Sequence, residues 1–543
     1  MKRFSNTLFK SLLLAVMVAS ASVASAQYRF GGLLMDRDGM MSNDIYTLSQ
    51  TDFGFGTARS MAMAGAFTSL GGDLASMGIN PAGLGMYRTS AMSISSAYDT
   101  TRSTNANANY SKTKGNFGFN QLGAVLNLYQ GTGSLVSFTM GFAYNKLADL
   151  NYCNATGWNN GEVTIGEFFA EQMYGIDPSL LGSNGAPFSN PNIYTDEWGG
   201  VLAYRTYLMD PATNEDGTFA GNYIVPGVPL SSRINSAMEV VSEGSVGEFD
   251  FSMGFNFGNI LYLGTTLGLQ DIEQTLHYTY AEEYVSVNND DDEVSYMEYS
   301  PRVGNYGSGV NFKIGAILRP TSGLRLGVAY HSPTIVNLTR DYYTNMTTEF
   351  NAGDSYFAES SINSYTYNYS SPSKLLLGAS VTIGNKAIIS VDYDKVWYKG
   401  MSMHTNGLEG AFANDVEADL GSSNNVRVGV EFVPVQNIYV RGGYAYYGSP
   451  LGREAAKYNK DGNPFYGSYK TDTQNFSLGA GFRFGFGSSL DIAWTLSKAN
   501  YTNSIMYYYS YVDAYDNVTV SGPVMSNLKH TTNNVAVTYT MLF

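Results

Sequence analysis

The segment Gly247–Gly258 reads "GEFDFSMGFNFG". Phe249, Phe251, Met253, Phe255 and Phe257 alternate with Asp250, Ser252, Gly254 and Asn256, and period-two alternation puts the two sets on opposite faces of a strand. The large apolar set therefore shares one face, and the small or polar set the other. "VSFTMGFAYN" (136–145) repeats the pattern, with Phe138, Met140, Phe142 and Tyr144 against Ser137, Thr139, Gly141 and Ala143.

Outward from these two, about fourteen such segments run to the end of the chain: 87–98, 115–130, 133–146, 246–258, 259–280, 304–319, 323–348, 373–383, 386–401, 424–434, 437–449, 473–486, 489–509 and 527–543. Each is at or above the roughly 9 to 11 residues that a tilted transmembrane strand needs. Every second connection is a tight turn, as in "QGTG" (130–133), "GN" (258–259), "RPTSG" (319–323), "GNK" (384–386), "PVQN" (434–437) and "GFGSS" (485–489). Gly, Asn and Pro supply the dihedrals such turns require. The remaining connections are long: 99–114, 147–245, 281–303, 349–372, 402–423, 450–472 and 510–526. Short turns at one end and long loops at the other are the layout of an outer-membrane barrel, whose short turns face the periplasm. The fold class expected is all-β, a transmembrane antiparallel β-barrel of about 14 strands.

Composition agrees. Charged residues are only 14% of the chain, below the quarter usual in globular domains, while Gly is 59 of 543 and Tyr 43. Beyond the N-terminal leader no apolar run is long enough for a membrane-spanning helix. Lys2, Arg3 and Lys10, the apolar "SLLLAVMVASASV" and Ala24-Ser25-Ala26 read as a signal peptide over 1–26, so the chain is exported, and with the barrel layout this places the protein in the bacterial outer membrane. No Cys follows the cleavage site, which argues against a lipoprotein. At the other end, Val535, Val537, Tyr539, Met541 and Phe543 alternate outward. The terminal Phe543 resembles the signal that outer-membrane proteins present to the barrel assembly machinery.

Reactive chemistry is sparse. Net charge is −15, which argues against nucleic acid as a partner. The single Cys153 has no thiol to pair with and no evident base. His277, His331, His404 and His530 lack neighbours at metal-ligand spacing, and no G-x-S-x-G elbow occurs. No enzyme, cofactor or metal is expected. Acid clusters in "NNDDDEV" (288–294), read as a solvated loop tip, with divalent-cation bridging to lipid headgroups as the alternative. The 147–245 insertion contains "TIGEFFAEQMYGIDP", with Thr164 and Glu167 spaced as a capping box and Ile165, Phe168, Phe169 and Met173 on one helical face. That face either packs over the barrel rim or forms an external apolar groove for a ligand.

Ahead of the first strand, "FGFGTARSMAMAGAFTSLGGDLASMGINPAGLGMY" (53–87) carries small residues and methionines, then Asn80-Pro81-Ala82-Gly83. Pro81 stops a helix and Asn80 can cap or turn the freed backbone. This segment resembles the N-terminal hatch of the FadL/TodX-type outer-membrane transporters of long-chain fatty acids and other hydrophobic compounds. The blocks 312–334, 371–398 and 424–450 are similar to hairpins of that family. The long loop at 147–245 and an N-terminal extension at 27–49 depart from its core.

The resemblance implies a monomeric barrel over 87–543, plugged at its periplasmic end by a small helical hatch at 50–86. A fatty-acid-like hydrophobic small molecule would enter from outside, rest in an apolar pocket, and leave sideways into outer-membrane lipid. Candidate ligand contacts are Phe55, Arg59, Met61, Met63, Phe67 and Leu70, where unbranched Met suits ligands of varied shape; the same residues would equally serve to pack the plug into the wall. Arg59 is the candidate partner for a ligand carboxylate, or else bonds wall groups. A structural or adhesive surface protein acting through its long loops is the alternative.

Overall fold

Fourteen antiparallel strands among the described residues form a sheet that closes on itself. They are β1 (Ala91–Asn105), β2 (Tyr110–Gln130), β3 (Leu135–Asp149), β4 (Arg233–Phe257), β5 (Leu261–Val285), β6 (Arg302–Leu318), β7 (Leu324–His331 continued by Ile335–Tyr343), β8 (Asn363–Ser370 continued by Ser373–Ile383), β9 (Ala387–Trp397), β10 (Ser423–Val435), β11 (Ile438–Tyr447), β12 (Lys470–Arg483), β13 (Ser489–Tyr507) and β14 (Val524–Leu542). Each pairs with the next, and β1 pairs back with β14 from Ala91↔Leu542 to Asn105↔Leu528. The computed structural model describes residues 39–51, 56–105, 110–161, 164–182, 198–229, 232–285, 290–405, 407–463, 465, 467–507, 510–512, 518–520 and 524–543. The expected signal peptide, most of the 27–49 extension and Phe55 lie outside these.

Closure leaves no unpaired strand edge, the condition for backbone to cross hydrocarbon. The faces are inverted relative to a water-soluble protein. On β4, Phe249, Phe251 and Met253 point outward and are 40–48% exposed, while Glu248, Asp250, Ser252 and Asn256 are buried inside. On β14, Val535, Val537, Tyr539 and Met541 are likewise exposed.

The six tight turns lie where the sequence puts them. The strand limits differ most at β4 and β8, which begin at Arg233 and Asn363 rather than at 246 and 373; β4 and β5 are 25 residues each and stay in register from Phe257↔Leu261 to Arg233↔Val285. Residues 233–245 keep the alternation, and inward Ile234 and Met238 find apolar cover above the membrane, so the ladder continues.

The N-terminal stretch runs inside the barrel. Helix α1 (Ser42–Leu48) sits among the long loops; α2 (Ala58–Ala62), α3 (Ser76–Ile79) and a 3-10 turn (Pro81–Met86) fill the short-turn end. Thr57 caps α2 by accepting from the Ser60 N–H, and Asn80 caps the 3-10 turn by accepting from the Ala82 N–H. Above the barrel, α4 (Ile165–Gln172) and α5 (Trp198–Arg205) build an outer cap on the extended ends of β4 and β5, and α6 (Glu409–Asp419) and α7 (Arg453–Lys460) flank α1.

Candidate functional site

The segment 56–86 lies in a seat made by glycines. One inward Gly on each of nine strands faces it: Gly141, Gly254, Gly264, Gly315, Gly327, Gly378, Gly429, Gly443 and Gly479. A β-carbon at Gly315 would collide with Asn80 Oδ1, one at Gly264 with the Pro81 backbone, and one at Gly327 with the Thr68 carbonyl. At Gly429 and Gly443 it would lie 2.7 and 2.6 Å from Met63 backbone atoms. Here glycine is required for close approach of two backbones.

Polar bonds tie the same segment to the wall. Asn80 is fully buried, and its Nδ2 donates to the carbonyls of Thr68 (2.6 Å), Ala316 and Val328 (3.3 Å each). The Thr68 N–H donates to Asp392 Oδ2 (2.8 Å), the Ala58 N–H to Thr538 Oγ1 (2.7 Å), and Arg325 Nη1 to the Leu70 carbonyl (2.8 Å). His331 Nε2 lies 2.9 Å from the Ile79 carbonyl. Buried ion clusters surround this belt. Arg59 and Arg441 share Glu431, at 3.0 and 2.7 Å, and Arg441 also holds Asp491 at 2.6 Å. Lys313 bridges Glu248 and Asp250, and Arg427 bridges Asp392 and Asp394.

Against this frame the sequence candidates take definite places. Asn80, Pro81, Ala82 and Gly83 are all buried, with Ala82 packed on Tyr262 and Ile317. Met63, Phe67 and Leu70 form one apolar cluster with Ala329 and Leu376 of the wall, and Met61 packs among Ala97, Ala493 and Ala536. Arg59 spends its charge on Glu431 and lies over the Phe67 ring at 5.4 Å. These residues pack the plug into the wall, and none lines the cavities described next. The face of Ile165, Phe168, Phe169 and Met173 is at most 8% exposed and merges with Trp198, Val201, Tyr280, Tyr299 and Tyr342. It is the cap's own core, not an open groove, because α5 and the strand extensions cover it.

The lumen above the plug differs from the apolar pocket anticipated. One cavity, about 200 Å³, lies between α1 and the inner faces of β12, β13, β14 and β1, and is lined mainly by hydroxyl, amide and tyrosine side chains. A second, about 120 Å³, shares Asn43, Thr47, Tyr152, Asn154, Ser468 and Leu528 with the first and adds Met238, Val240, Leu276 and Tyr278. The polar lining follows from alternation itself: once the outward positions are apolar, the inward ones carry the polar set.

A further cavity of about 100 Å³ reaches a double interruption of the wall. Pro333 breaks β7 and Pro372 breaks β8 at facing positions, since Ile335 pairs with Ser370 and His331 with Lys374. Proline donates no ladder bond. Serine hydroxyls patch the seam: Ser332 Oγ accepts from the Phe312 N–H and Ser371 Oγ from the Thr334 N–H, both at 2.9 Å. Tyr330 and Ile335 remain outwardly exposed there, whereas Tyr367 and Tyr369 are buried inside. Sequence reading missed both the glycine seat and this seam; the signals were "YHSPT" (330–334) and "YSSPS" (369–373), and inward glycines at the short-turn end of many strands.

Closed topology, an apolar outer face and a polar, plugged interior define a transmembrane β-barrel of the outer-membrane type. Among solved structures, the chain is similar to the toluene transporter TodX of P. putida, at 11% identity and a TM-score of 0.48, covering 91% of this chain and 99% of that one. It is also similar to a Pseudomonas aeruginosa FadL homologue (12%, TM-score 0.46, covering 90% and 98%) and to the Ralstonia pickettii toluene transporter TbuX (15%, TM-score 0.43, covering 92% and 100%). No family model and no curated relative matches the chain.

Proposed function

We propose that this barrel is an outer-membrane channel for the uptake of hydrophobic compounds, fatty-acid-like molecules among them, with residues 50–86 as its hatch and a lateral route between lumen and membrane. One observation carries the reading: the axial path is filled by a plug seated on glycines and tied by buried hydrogen bonds, while the wall is interrupted beside a cavity at Ser332–Thr334 and Ser371–Pro372. An apolar solute gains little from a water-filled pore and more from passing directly to lipid. The exposed Phe543, whose N–H donates to the Ser90 carbonyl, leaves the terminal aromatic free for the assembly machinery.

The test is a lock. Thr334→Cys with Ser371→Cys, in a Cys153→Ser background, closes the seam when oxidised. Oxidised protein in liposomes should stop passing a fluorescent fatty acid and recover on reduction. Unchanged transport in the locked state would sink the lateral route.

A further inference from the structure

The cavity between α1 and the β12–β14–β1 wall is built of side chains that form hydrogen bonds in all directions. Asn475 of β12 is fully buried, lines this cavity, and has neither its amide NH2 nor its carbonyl oxygen bonded. Asn534 of β14 donates to Asp99 yet leaves its own buried Oδ1 without a donor. An amide offers two donors and two acceptor lone pairs, and leaving such groups unmade in a buried site forfeits their hydration with nothing in return. Two inward amides left open to one cavity call for a ligand that both donates and accepts.

Charge narrows the class. Lys146 is held by Asp99 at 3.1 Å and by Asp149 at 2.9 Å, and His530 is engaged on both ring nitrogens, by Tyr501 Oη at 3.0 Å and Asn154 Oδ1 at 2.9 Å. Lys470 at the start of β12 is the other ammonium group on the lining, set against the carboxylates of Asp99 and Asp149, so the chamber carries no net positive charge to draw a carboxylate or phosphate. Thr101, Thr473, Thr495 and Ser497 add hydroxyls, and Tyr152 and Tyr501 bring aromatic faces beside His530, at 5.2 and 4.8 Å between ring centroids. Amides and hydroxyls around tyrosine faces suit a neutral ring that carries hydroxyls on its edge and C–H groups on its faces. A cavity of about 200 Å³ exceeds the roughly 150 Å³ that accommodates benzene.

The adjoining cavity brings an apolar patch, Met238, Val240, Leu276 and Leu528, set among polar groups such as Thr156 and Gln274. We infer that the two cavities together form a site for a neutral hydroxylated ring, the ring in the first chamber and any attached alkyl chain along the patch of Met238, Val240 and Leu276 in the second. The inference deepens the uptake reading, since it names the headgroup that the lumen above the plug selects. The ring could arrive as a free sugar or as the head of an amphiphile, and the measurement separates the two.

The full chain in lipid nanodiscs is titrated calorimetrically with methyl glucoside, octyl glucoside below its micellar concentration, and octanoate. Octyl glucoside is expected to bind at least tenfold more tightly than octanoate, with Asn475→Leu weakening it at least tenfold and Met238→Trp weakening it but not methyl glucoside. Equal binding of methyl and octyl glucoside, insensitive to Met238→Trp, supports the ring site and assigns a free sugar. Octanoate binding as tight as octyl glucoside, or octyl glucoside binding unchanged in Asn475→Leu, overturns the inference. Saturation-transfer NMR on wild-type protein reads ring contact without any variant, and absence of transfer from both glucosides also overturns it. Failure of wild-type protein to pass oleate, with octyl glucoside still bound, defeats the uptake reading alone.

Discussion

Asn80 Oδ1 occupies the space that a β-carbon would need at Gly315, while Asn80 Nδ2 bonds the carbonyls of Ala316 on the same strand, β6, and Val328 on the adjoining β7. The plug's one capping asparagine is thus keyed to a wall glycine, and the two positions must be read together. Gly315→Val should push Asn80 from its seat, at a cost of about 1–3 kcal/mol as for overpacked cores, and raise the leak conductance in planar bilayers. Gly118→Ala, on β2 with open space at its β-carbon, should leave conductance unchanged. Equal behaviour of the two variants would refute the seat.

Glu431 is the shared carboxylate between Arg59 of the plug and Arg441 of the wall. Removing its charge in Glu431→Gln leaves half-buried Arg59 without its carboxylate and buried Arg441 with Asp491 alone; breaking a fully buried pair costs about 3–5 kcal/mol, the upper bound here. The heat-modifiable gel shift of the folded barrel should move to lower temperature. Lys399→Gln, which removes an exposed pair with Glu417, should leave it in place.

At the seam, Ser332→Ala with Ser371→Ala strips the hydroxyls that accept from the Phe312 and Thr334 N–H groups. Each orphaned N–H costs about 1–3 kcal/mol. Hydrogen exchange should accelerate at Phe312 and Thr334 while the β1–β2 ladder stays protected, and lateral transport should quicken. Uniform acceleration over the barrel would instead mean global destabilisation.

Outside the membrane, burial and the neighbouring Asp415 push the Asp419 carboxyl up to about 7, partly offset by the hydrogen bond that Tyr469 donates to it. A carboxyl raised in the folded state holds its proton longer than in the unfolded chain. Its contribution is therefore fully present below the ordinary carboxylate value near 4 and is lost as pH rises to 7. Asp415 also accepts from Ser42 of α1 (2.9 Å). Exchange protection of residues 42–48 should fall between about pH 4 and pH 7, and Asp419→Asn should flatten that dependence. A pH-independent wild type would contradict the assignment.

In the cap, Phe169 is fully buried against Tyr299 at 5.4 Å between rings. Phe169→Ala should cost about 3–5 kcal/mol, confined to the cap: protease sensitivity near α4 and α5 should rise while the barrel's gel shift holds.

Much of this molecule is written in its periodicity. Alternation at Phe249, Phe251 and Met253 determines which face is outside, because a period of two cannot be satisfied otherwise. Turn residues at 258–259, 319–323 and 384–386 then set the hairpins and the count of strands, and Asn80-Pro81 marks where the helical plug must end. These are local properties, carried by neighbours in the chain.

What tertiary structure alone decided is the content of the lumen. Gly315 meets Asn80, Glu431 meets Arg59, and Asn475 meets Asn534 across one chamber only because closure brings strands hundreds of residues apart to a common axis. Inward polarity was legible residue by residue. Which of those polar groups would satisfy one another, and which would be left facing a cavity, depends on strand register and on where the plug lies. Neither leaves a local trace in the sequence.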